Sequence, residues 1–244
     1  MSPRDSSVAS PRVVNIGDLR RAAERRLPRA VFDYIDGGAD GEVTLRENTR
    51  AFEEVVFRPR NAVFVHDRDT RTKILGCELS MPLILAPVGF SRLIHAQGEI
   101  SAARAAGKAG VGFCLTTISG CPLEKVAAAT ACPRWYQLYL VGGREAAEAA
   151  LARAWAAGFT VLAITIDTGT FGFRERDIRN GASTLTGSNS FAKIRFLPNL
   201  LSHPGWLSGF IYSKAIIICK KGVFFNFIKK IQVFNPFTLF QSIF

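Results

Sequence analysis

The chain has 244 residues, 48% of them hydrophobic, a size that suits one large α/β domain. Its net charge of +11 is uneven: residues 1–177 hold 23 basic and 20 acidic side chains, whereas residues 178–244 hold 8 basic and no acidic ones. Because the excess lies in one segment, we expect no nucleic-acid partner. Because the first fifteen residues are polar, we expect no secretory signal, and lysines interrupt the apolar C-terminal part too often for a membrane span. Nothing in the pattern supports peripheral membrane contact.

The cysteines argue against two kinds of structural site. There are five of them, an odd number without a C-x-x-C pair: Cys77, Cys114, Cys121, Cys132 and Cys219. Neither a disulfide framework nor a zinc site is expected from this pattern. We therefore expect a reducing, cytoplasmic location and no bound metal.

Four segments are expected along the chain. They are a disordered lead (1–14), N-terminal helices and a hairpin (15–80), a half-barrel with a loop (81–210) and an aberrant tail (211–244). In the second segment, Asn15 or Asp18 is expected to cap a helix that runs to Arg26. Pro28 is expected to open a second helix that ends near Gly37.

A third helix and a hairpin are expected before residue 80. The helix is predicted over Glu42–Phe52. Alternating apolar residues predict strands over Asn61–His66 and Arg71–Leu75, and the polar residues 67–70 between them are expected to close the hairpin.

From Met81 onward, apolar strands alternate with alanine-rich helices. The strands are predicted over Leu83–Pro87, Gly112–Thr116, Trp135–Leu140 and Thr160–Asp167. The helices are predicted over Glu99–Ala109, Leu123–Ala129 and Arg144–Ala157. Four β/α units at this spacing predict parallel strands with right-handed crossovers, as in an α/β barrel.

Each predicted strand ends in chemically distinctive residues. The four ends read A-P-V-G-F, L-T-T-I-S-G, Q-L-Y-L and T-I-D-T. Parallel strands bring their carboxyl ends to one side of a sheet, where α/β barrels build their active sites. The sequence therefore predicts a site at this edge. The second half of such a barrel has no recognisable counterpart in the rest of the chain.

The composition changes near residue 211. Residues 211–244 contain seven Phe, seven Ile and five Lys, with no Arg, Asp or Glu, whereas residues 1–210 are rich in Ala, Arg and Gly. A fluctuation of composition is one explanation. We favour the other, that this tail is out-of-frame, read-through or joined sequence.

Eight motifs in order give the chain a family resemblance. They are V-F-D-Y-I-D-G-G-A (31–39), T-L-R-E-N (44–48), F-R-P-R (57–60), M-P-L-I-L-A-P-V-G-F (81–90), H-A-Q-G-E (95–99), W-Y-Q-L-Y (135–139), I-D-T (166–168) and R-E-R-D-I-R-N (174–180). Together they resemble the N-terminal half of the FMN-dependent α-hydroxy acid dehydrogenases and oxidases, the lactate, glycolate and mandelate type. The resemblance implies a (β/α)8 TIM barrel, of which this chain carries about the first four β/α units after an N-terminal helical segment.

The resemblance also implies roles for ten residues. Pro87, Val88 and Gly89 match the turn that packs against the flavin ring. The flavin's polar edge is bound at positions that correspond to Thr116, Gln137 and Thr165. The substrate's carboxylate and hydroxyl are bound at positions that correspond to Tyr34, Tyr139 and Arg174. Asp167 matches the acid that orients the catalytic histidine, and we expect it to be buried. Glu175 and Arg176 are expected to form loop ion pairs.

The histidine base itself is missing from the chain. The family takes it from an H-G-G-R-type motif, whereas this chain has only His66, His95 and His203, and none of them matches. The family's strand lysine, its second substrate arginine and the loops after strands seven and eight are also absent. A-I-I-I-C-K-K-G-V (215–223) echoes the lysine strand only faintly.

Two functions from different classes follow. The first is FMN-dependent oxidation of an L-2-hydroxy acid, lactate-like or mandelate-like, to the 2-oxo acid, in a family whose full-length members are expected to be homo-oligomers. The second is an inactive, truncated half-barrel from a disrupted gene. Another flavin-binding or phosphate-binding barrel is a third alternative, which Y-Q-L-Y and R-E-R-D disfavour.

Overall fold

The computed structural model describes residues 13–167, 172–180 and 197–212, which fall into two units. One unit combines residues 1–52 with 172–209, and the other combines residues 53–171 with 210–244. This division differs from the predicted segments 15–80 and 81–210, because residues after the last strand contact the N-terminal helices. The predicted lead (1–14) and tail (211–244) lie outside the described residues, apart from two residues of each.

Short helices make up the first unit. Their order is α1 (Ile16–Arg26), α2 (Arg29–Asp36), α3 (Val43–Arg50), α7 (Glu175–Arg179) and α8 (Leu197–Leu201), followed by α9 (Pro204–Tyr212). The three predicted N-terminal helices are confirmed to within two residues at their ends. In the described part of the chain, no helix combines the length and apolar character that crossing a membrane requires.

The start of α1 is a capping box. The side chain of Asn15 accepts a hydrogen bond from the backbone N–H of Asp18 over 3.0 Å, and the Asp18 carboxylate accepts from the backbone N–H of Asn15 over 3.1 Å. Both bonds satisfy donors that the first helical turn would otherwise leave without partners. The backbone N–H of Val14, which donates to the Asp18 carboxylate over 2.7 Å, then that of Asn15 and then the nearby Arg21 lower the pKa of Asp18.

Removal of this cap should destabilise α1. We expect Asn15→Ala to lower the free energy of unfolding by about 1 kcal/mol, because one N-terminal amide loses its acceptor. Urea unfolding followed by circular dichroism measures the change. Asn15→Ser is the matched control and should retain most of the stability, since serine caps helices equally well. Equal losses in both variants would contradict a capping role.

The hairpin begins at the second of the two predicted strands, not at the first. Strands β1 (Thr72–Ile74) and β2 (Cys77–Leu79) pair antiparallel, and Leu75 and Gly76 join them with φ angles of 48° and 79°. A two-residue turn with two positive φ angles matches the twist of paired strands. The predicted strand 71–75 is confirmed as β1, but residues 61–66 form no strand, so the predicted pairing of these two segments is wrong. The polar residues 67–70 have no regular secondary structure, and the Asp69 carboxylate accepts a hydrogen bond from the backbone N–H of Arg71 over 3.0 Å.

A four-stranded parallel sheet forms the second unit. Its strands run in the order β3 (Ile84–Leu85), β4 (Gly112–Thr116), β5 (Arg134–Leu138) and β6 (Val161–Ile164). The connecting helices are α4 (Gly98–Ala109), α5 (Leu123–Ala128) and α6 (Gly143–Ala156). The predicted half-barrel is confirmed. The outer strands are shorter than predicted, because each has only one neighbour with which to form backbone hydrogen bonds.

The helices cover one face of this sheet. Alternate residues of the central strands point toward them: Phe113, Leu115, Tyr136 and Leu138, all at most 5% exposed. They pack with small helix residues such as Ala103 and Ala154, and the rings of Tyr136 and Phe159 meet edge to face at 6.1 Å. Because side chains alternate along a strand, Cys114, Thr116 and Gln137 point to the opposite face. That face is the inner wall of the half-barrel.

Candidate functional site

A chain of three polar side chains crosses the inner wall at the carboxyl ends of the strands. The Thr116 hydroxyl donates to the side-chain oxygen of Gln137 over 2.8 Å. The side-chain nitrogen of Gln137 donates to the Thr165 hydroxyl oxygen, also over 2.8 Å. Thr116 and Gln137 are each 3% exposed, and Thr165 is half-buried. The structure thus brings together the three residues predicted to bind the flavin's polar edge.

Strand register explains why these three side chains meet. Thr116 and Gln137 are paired partners at the ends of β4 and β5, and Thr165 follows β6 directly. The backbone N–H of Thr165 donates to the carbonyl of Leu138 over 3.1 Å, which continues the sheet by one residue. Neighbouring residues in register share a face, so three successive strands each place one polar group on the inner wall.

Two of the three hydrogen-bonded side chains, Gln137 and Thr165, can each donate a further hydrogen bond. The Gln137 amide carries a second N–H besides the one directed at Thr165. The Thr165 hydroxyl accepts from Gln137 and can donate its own proton. Two donors on neighbouring strands suit a planar ligand whose rim carries oxygen and nitrogen acceptors, which is the polar edge of a flavin.

The turn after β3 is held close to the loop after β4. A Cβ atom on Gly89 would lie 2.5 Å from the Ile118 side chain, and the backbone N–H of Phe90 donates to the carbonyl of Ile118 over 3.3 Å. Glycine at residue 89 therefore permits a close approach between two loops. The preceding Pro87 and Val88 are exposed on the same turn, where they are accessible to a ligand.

Tyr139 and Asp167 stand at the same end of the sheet. Tyr139 is half-buried, and its backbone N–H donates to the Thr117 hydroxyl over 3.0 Å. Asp167 is exposed, so the expectation of a buried carboxylate is wrong. It lies three residues beyond β6, an outer strand of the described sheet, and no strand among the described residues follows to cover it.

The first unit brings Tyr34 and Arg174 together. The Arg174 guanidinium lies 5.2 Å from the centroid of the Tyr34 ring and donates to the backbone carbonyl of the same tyrosine. The Nε of Arg174 also donates to Asp177 over 2.6 Å. An arginine stacked on a phenol ring and anchored by an aspartate presents a positive charge suited to a carboxylate.

Arg176 makes an ion-pair network that the sequence did not reveal. Its two terminal nitrogens donate to Asp36 over 2.9 Å and to Glu42 over 2.6 Å. Asp36 also accepts from Arg20 over 2.8 Å, and Glu42 accepts from the backbone N–H of Gly38 over 3.1 Å. The expected ion pairing of Arg176 is confirmed. Its partners lie more than 130 residues away in sequence, so no local pattern could identify them.

The network shifts the pKa values of its members. Hydrogen bonds from Arg20 and then Arg176 lower the pKa of Asp36. The Gly38 amide and then Arg176 lower the pKa of Glu42, and both carboxylates together raise the pKa of Arg176. All of these charges are therefore retained at neutral pH. They tie α2, which carries Tyr34, to α7, which begins after Arg174.

A buried glutamate fixes the loop after β4. Glu99, at the start of α4, is 3% exposed, and its Oε1 accepts from the backbone N–H of Gly120 over 2.9 Å. Burial first, and then this carboxylate, raise the pKa of Cys121 to about 11. Burial alone raises the pKa of Cys114 to about 11. Both thiols are therefore uncharged at neutral pH. The role of Glu99 was missed, although H-A-Q-G-E was among the eight motifs.

The three histidines make local contacts. His66 is exposed beside Asp67 at 3.1 Å. His95 Nδ1 accepts from the backbone N–H of Gln97 over 3.2 Å, and His203 Nδ1 lies 2.7 Å from the carbonyl of Asn199.

Known proteins resemble most of this chain. A family model described as FMN-dependent dehydrogenase matches residues 23–231, and so extends into the segment 211–244. An L-lactate dehydrogenase of Pectobacterium atrosepticum is 44% identical over 189 residues, and one of Stenotrophomonas maltophilia is 43% identical. In each case the match covers 78% of this chain and 48% of the relative. The chain therefore spans about half the length of the curated relatives it matches.

Solved structures resemble the fold as well. A structure of (S)-mandelate dehydrogenase, described as a monotopic membrane protein, has a TM-score of 0.75 and 32% identity, covering 82% of this chain and 52% of the other. A mandelate oxidase structure has a TM-score of 0.66 and 37% identity, covering 69% of this chain and 51% of the other. Similarity at these levels extends from the sequence to the arrangement of strands and helices.

Proposed function

Because this chain belongs to the FMN-dependent dehydrogenase family, we propose that it forms one wall of a site for oxidising an L-2-hydroxy acid to a 2-oxo acid. The hydrogen-bonded chain of Thr116, Gln137 and Thr165 at the carboxyl ends of three strands carries this proposal. Such an edge is where α/β barrels bind ligands. The relatives named lactate and mandelate dehydrogenase favour acids of lactate or mandelate type.

The residues present fit the cofactor. Gln137 and Thr165 would donate to the polar edge of the flavin, and the turn at Pro87, Val88 and Gly89 would pack against its ring. When bound, FMN accepts the two electrons that leave the hydroxyl-bearing carbon of the substrate.

The substrate would be held by the residues that match the family's substrate-binding positions. Arg174 would pair with the carboxylate, and Tyr34 and Tyr139 would donate to its oxygens. Asp167 would orient a histidine base, and none of the three histidines of this chain matches that base.

We also propose that this chain, taken alone, does not turn over its substrate. It spans half the length of its lactate dehydrogenase relatives, and the outer strand β6 carries exposed apolar side chains such as Leu162 and Ile164. The histidine, the lysine, the second arginine and the phosphate-binding loops expected of the family have no counterpart in the sequence. A cytoplasmic location is part of this proposal, although a similar mandelate dehydrogenase is described as a monotopic membrane protein.

The wall can be tested by titration with FMN. We expect the purified chain to bind FMN weakly, and Thr165→Val to weaken binding about fivefold, because one hydrogen bond is worth roughly 1 kcal/mol. Quenching of flavin fluorescence measures the dissociation constant. Thr160→Val is the matched control at the amino end of β6 and should leave the affinity unchanged.

Three results would count against these proposals. Equal FMN affinity of the Thr165→Val variant and the unmodified chain would contradict the proposed wall. Reduction of an artificial electron acceptor by the chain with FMN and L-lactate or (S)-mandelate would contradict the proposed lack of turnover. A folded chain that does not quench flavin fluorescence at all would also contradict the proposed FMN-binding wall.

A further inference from the structure

Neither outer strand of the half-barrel carries a charged side chain. Among the described residues, β3 pairs only with β4, and β6 pairs only with β5. The runs Met81–Pro87 and Val161–Ile166 contain no charged residue. Natural sheets usually place lysines, bulges or covering segments at such edges to prevent association with another chain. These two edges are therefore suited to pairing.

The exposed side chains at the edges are apolar. On β6 and just beyond it, Leu162, Ile164 and Ile166 are 42%, 52% and 88% exposed. Leu162 and Ile164 pair in register with Tyr136 and Leu138, so they lie on the helix-facing side. On the other edge, Leu83 is 48% exposed, and it shares that side with Leu85, two residues later.

Backbone groups also point outward from these edges. The N–H of Thr165 bonds inward to Leu138, so the N–H and carbonyl of Ile164 point away from β5, as those of Leu162 do. On β3, Leu83 accepts inward from Gly112 over 3.2 Å, so the backbone groups of Ile84 point outward. The β6 edge thus offers the donors and acceptors of Leu162 and Ile164, and the shorter β3 edge offers those of Ile84.

We propose that a second copy of this chain completes the barrel, with β6 of each copy pairing in parallel with β3 of the other. All four strands run in one direction, so a two-fold axis along the strands presents the β3 edge of one copy to the β6 edge of the other. Two equivalent junctions then close a ring of eight strands, the number in a complete barrel. This pairing goes beyond the proposed flavin wall and does not depend on it.

The mass of the 244-residue chain in solution tests the pairing. Light scattering after size-exclusion chromatography should give twice 26.7 kDa for the unmodified chain. We expect Ile164→Lys and Leu83→Glu each to halve that mass, because each puts a charge into both junctions. Trp155→Lys is the control: this side chain on α6 is 75% exposed and belongs to neither outer strand, so the dimer should persist.

Mixing the two variants distinguishes this arrangement from other dimers. A mixed dimer has one unmodified junction and one in which the new lysine faces the new glutamate, so equimolar mixing should restore the double mass. A dimer joined through β6 alone would be broken by Ile164→Lys but not by Leu83→Glu, and that result would overturn the proposal. An unmodified chain of single mass would also overturn it.

Hydrogen exchange on the unmodified chain gives a test that needs no variant. The outward amides of Ile84, Leu162 and Ile164 should exchange more slowly as protein concentration rises, because pairing protects them. Rates that do not change between dilute and concentrated samples would reject the pairing, even if a dimer of another kind were present.

Discussion

Replacing Gln137 by leucine is expected to lower the free energy of unfolding by about 1–3 kcal/mol. The Thr116 hydroxyl donates to the Gln137 side chain over 2.8 Å, and Thr116 is almost completely buried. Leucine has a similar volume but no acceptor, so the hydroxyl would be left desolvated without this partner. Such an orphaned group costs more than the bond contributes. Urea unfolding followed by far-UV circular dichroism measures the loss.

A double-mutant cycle identifies the source of this loss. Thr116→Val removes the orphaned hydroxyl, so the double variant Gln137→Leu/Thr116→Val should be more stable than the sum of the single losses predicts. We expect a coupling energy of at least about 0.5 kcal/mol, as is typical of residues in direct contact. Strictly additive losses would show that the hydrogen bond is not responsible.

The second large effect is expected at Arg176 and depends on pH. Replacing Arg176 by methionine keeps the aliphatic stem and removes the charge that Asp36 and Glu42 share. We expect the thermal unfolding temperature at pH 7 to fall by a few degrees. Amides of α2 and α7 should also exchange faster, because the ion pairs hold these helices together.

The pH dependence has a definite sign. The pKa of Asp36 is lowered by Arg20 first and then by Arg176, and the pKa of Glu42 is lowered by the Gly38 amide first and then by Arg176. A lowered pKa in the folded state gives stability that is present above the unfolded value, near 4, and is lost as pH falls through the folded value. The stability difference between the unmodified chain and Arg176→Met should therefore shrink below about pH 4.

A second arginine serves as the control. Arg144 pairs with Glu148 on the exposed surface of α6, and Arg144→Met should change the unfolding temperature little, as is usual for exposed pairs. If Arg176→Met behaved like Arg144→Met, or if its stability deficit persisted unchanged at low pH, the network would not be the cause.

The sequence predicted the strands of the parallel sheet more accurately than it predicted the hairpin that precedes them. Apolar runs separated by alanine-rich helices located β4 and β5 to within two residues, because buried strands and amphipathic helices have distinct periodicities. The hairpin was misplaced, because the polar residues 67–70 gave a stronger turn signal than Leu75 and Gly76. Their left-handed conformation follows from pairing of the flanking strands, which local composition does not encode.

The sequence predicted those residues of the candidate site whose positions follow from the register of the strands. Thr116, Gln137 and Thr165 end neighbouring strands, so parallel pairing alone brings them together. The contacts of Arg176 with Asp36 and Glu42 depend on tertiary packing over a large sequence separation, and could not be inferred. The exposure of Asp167 depends on which segments cover the end of β6, and the periodicity of its own strand carries no information about them.

The strand order has a consequence for synthesis on the ribosome. Each strand from β4 to β6 pairs with the strand made just before it, so every new strand meets an edge that has already emerged. At about 5–20 residues per second, the stretch from Gly112 to Arg134 takes roughly 1–5 s to translate, far longer than helix formation. The sheet can therefore grow one β/α unit at a time, in the direction of translation.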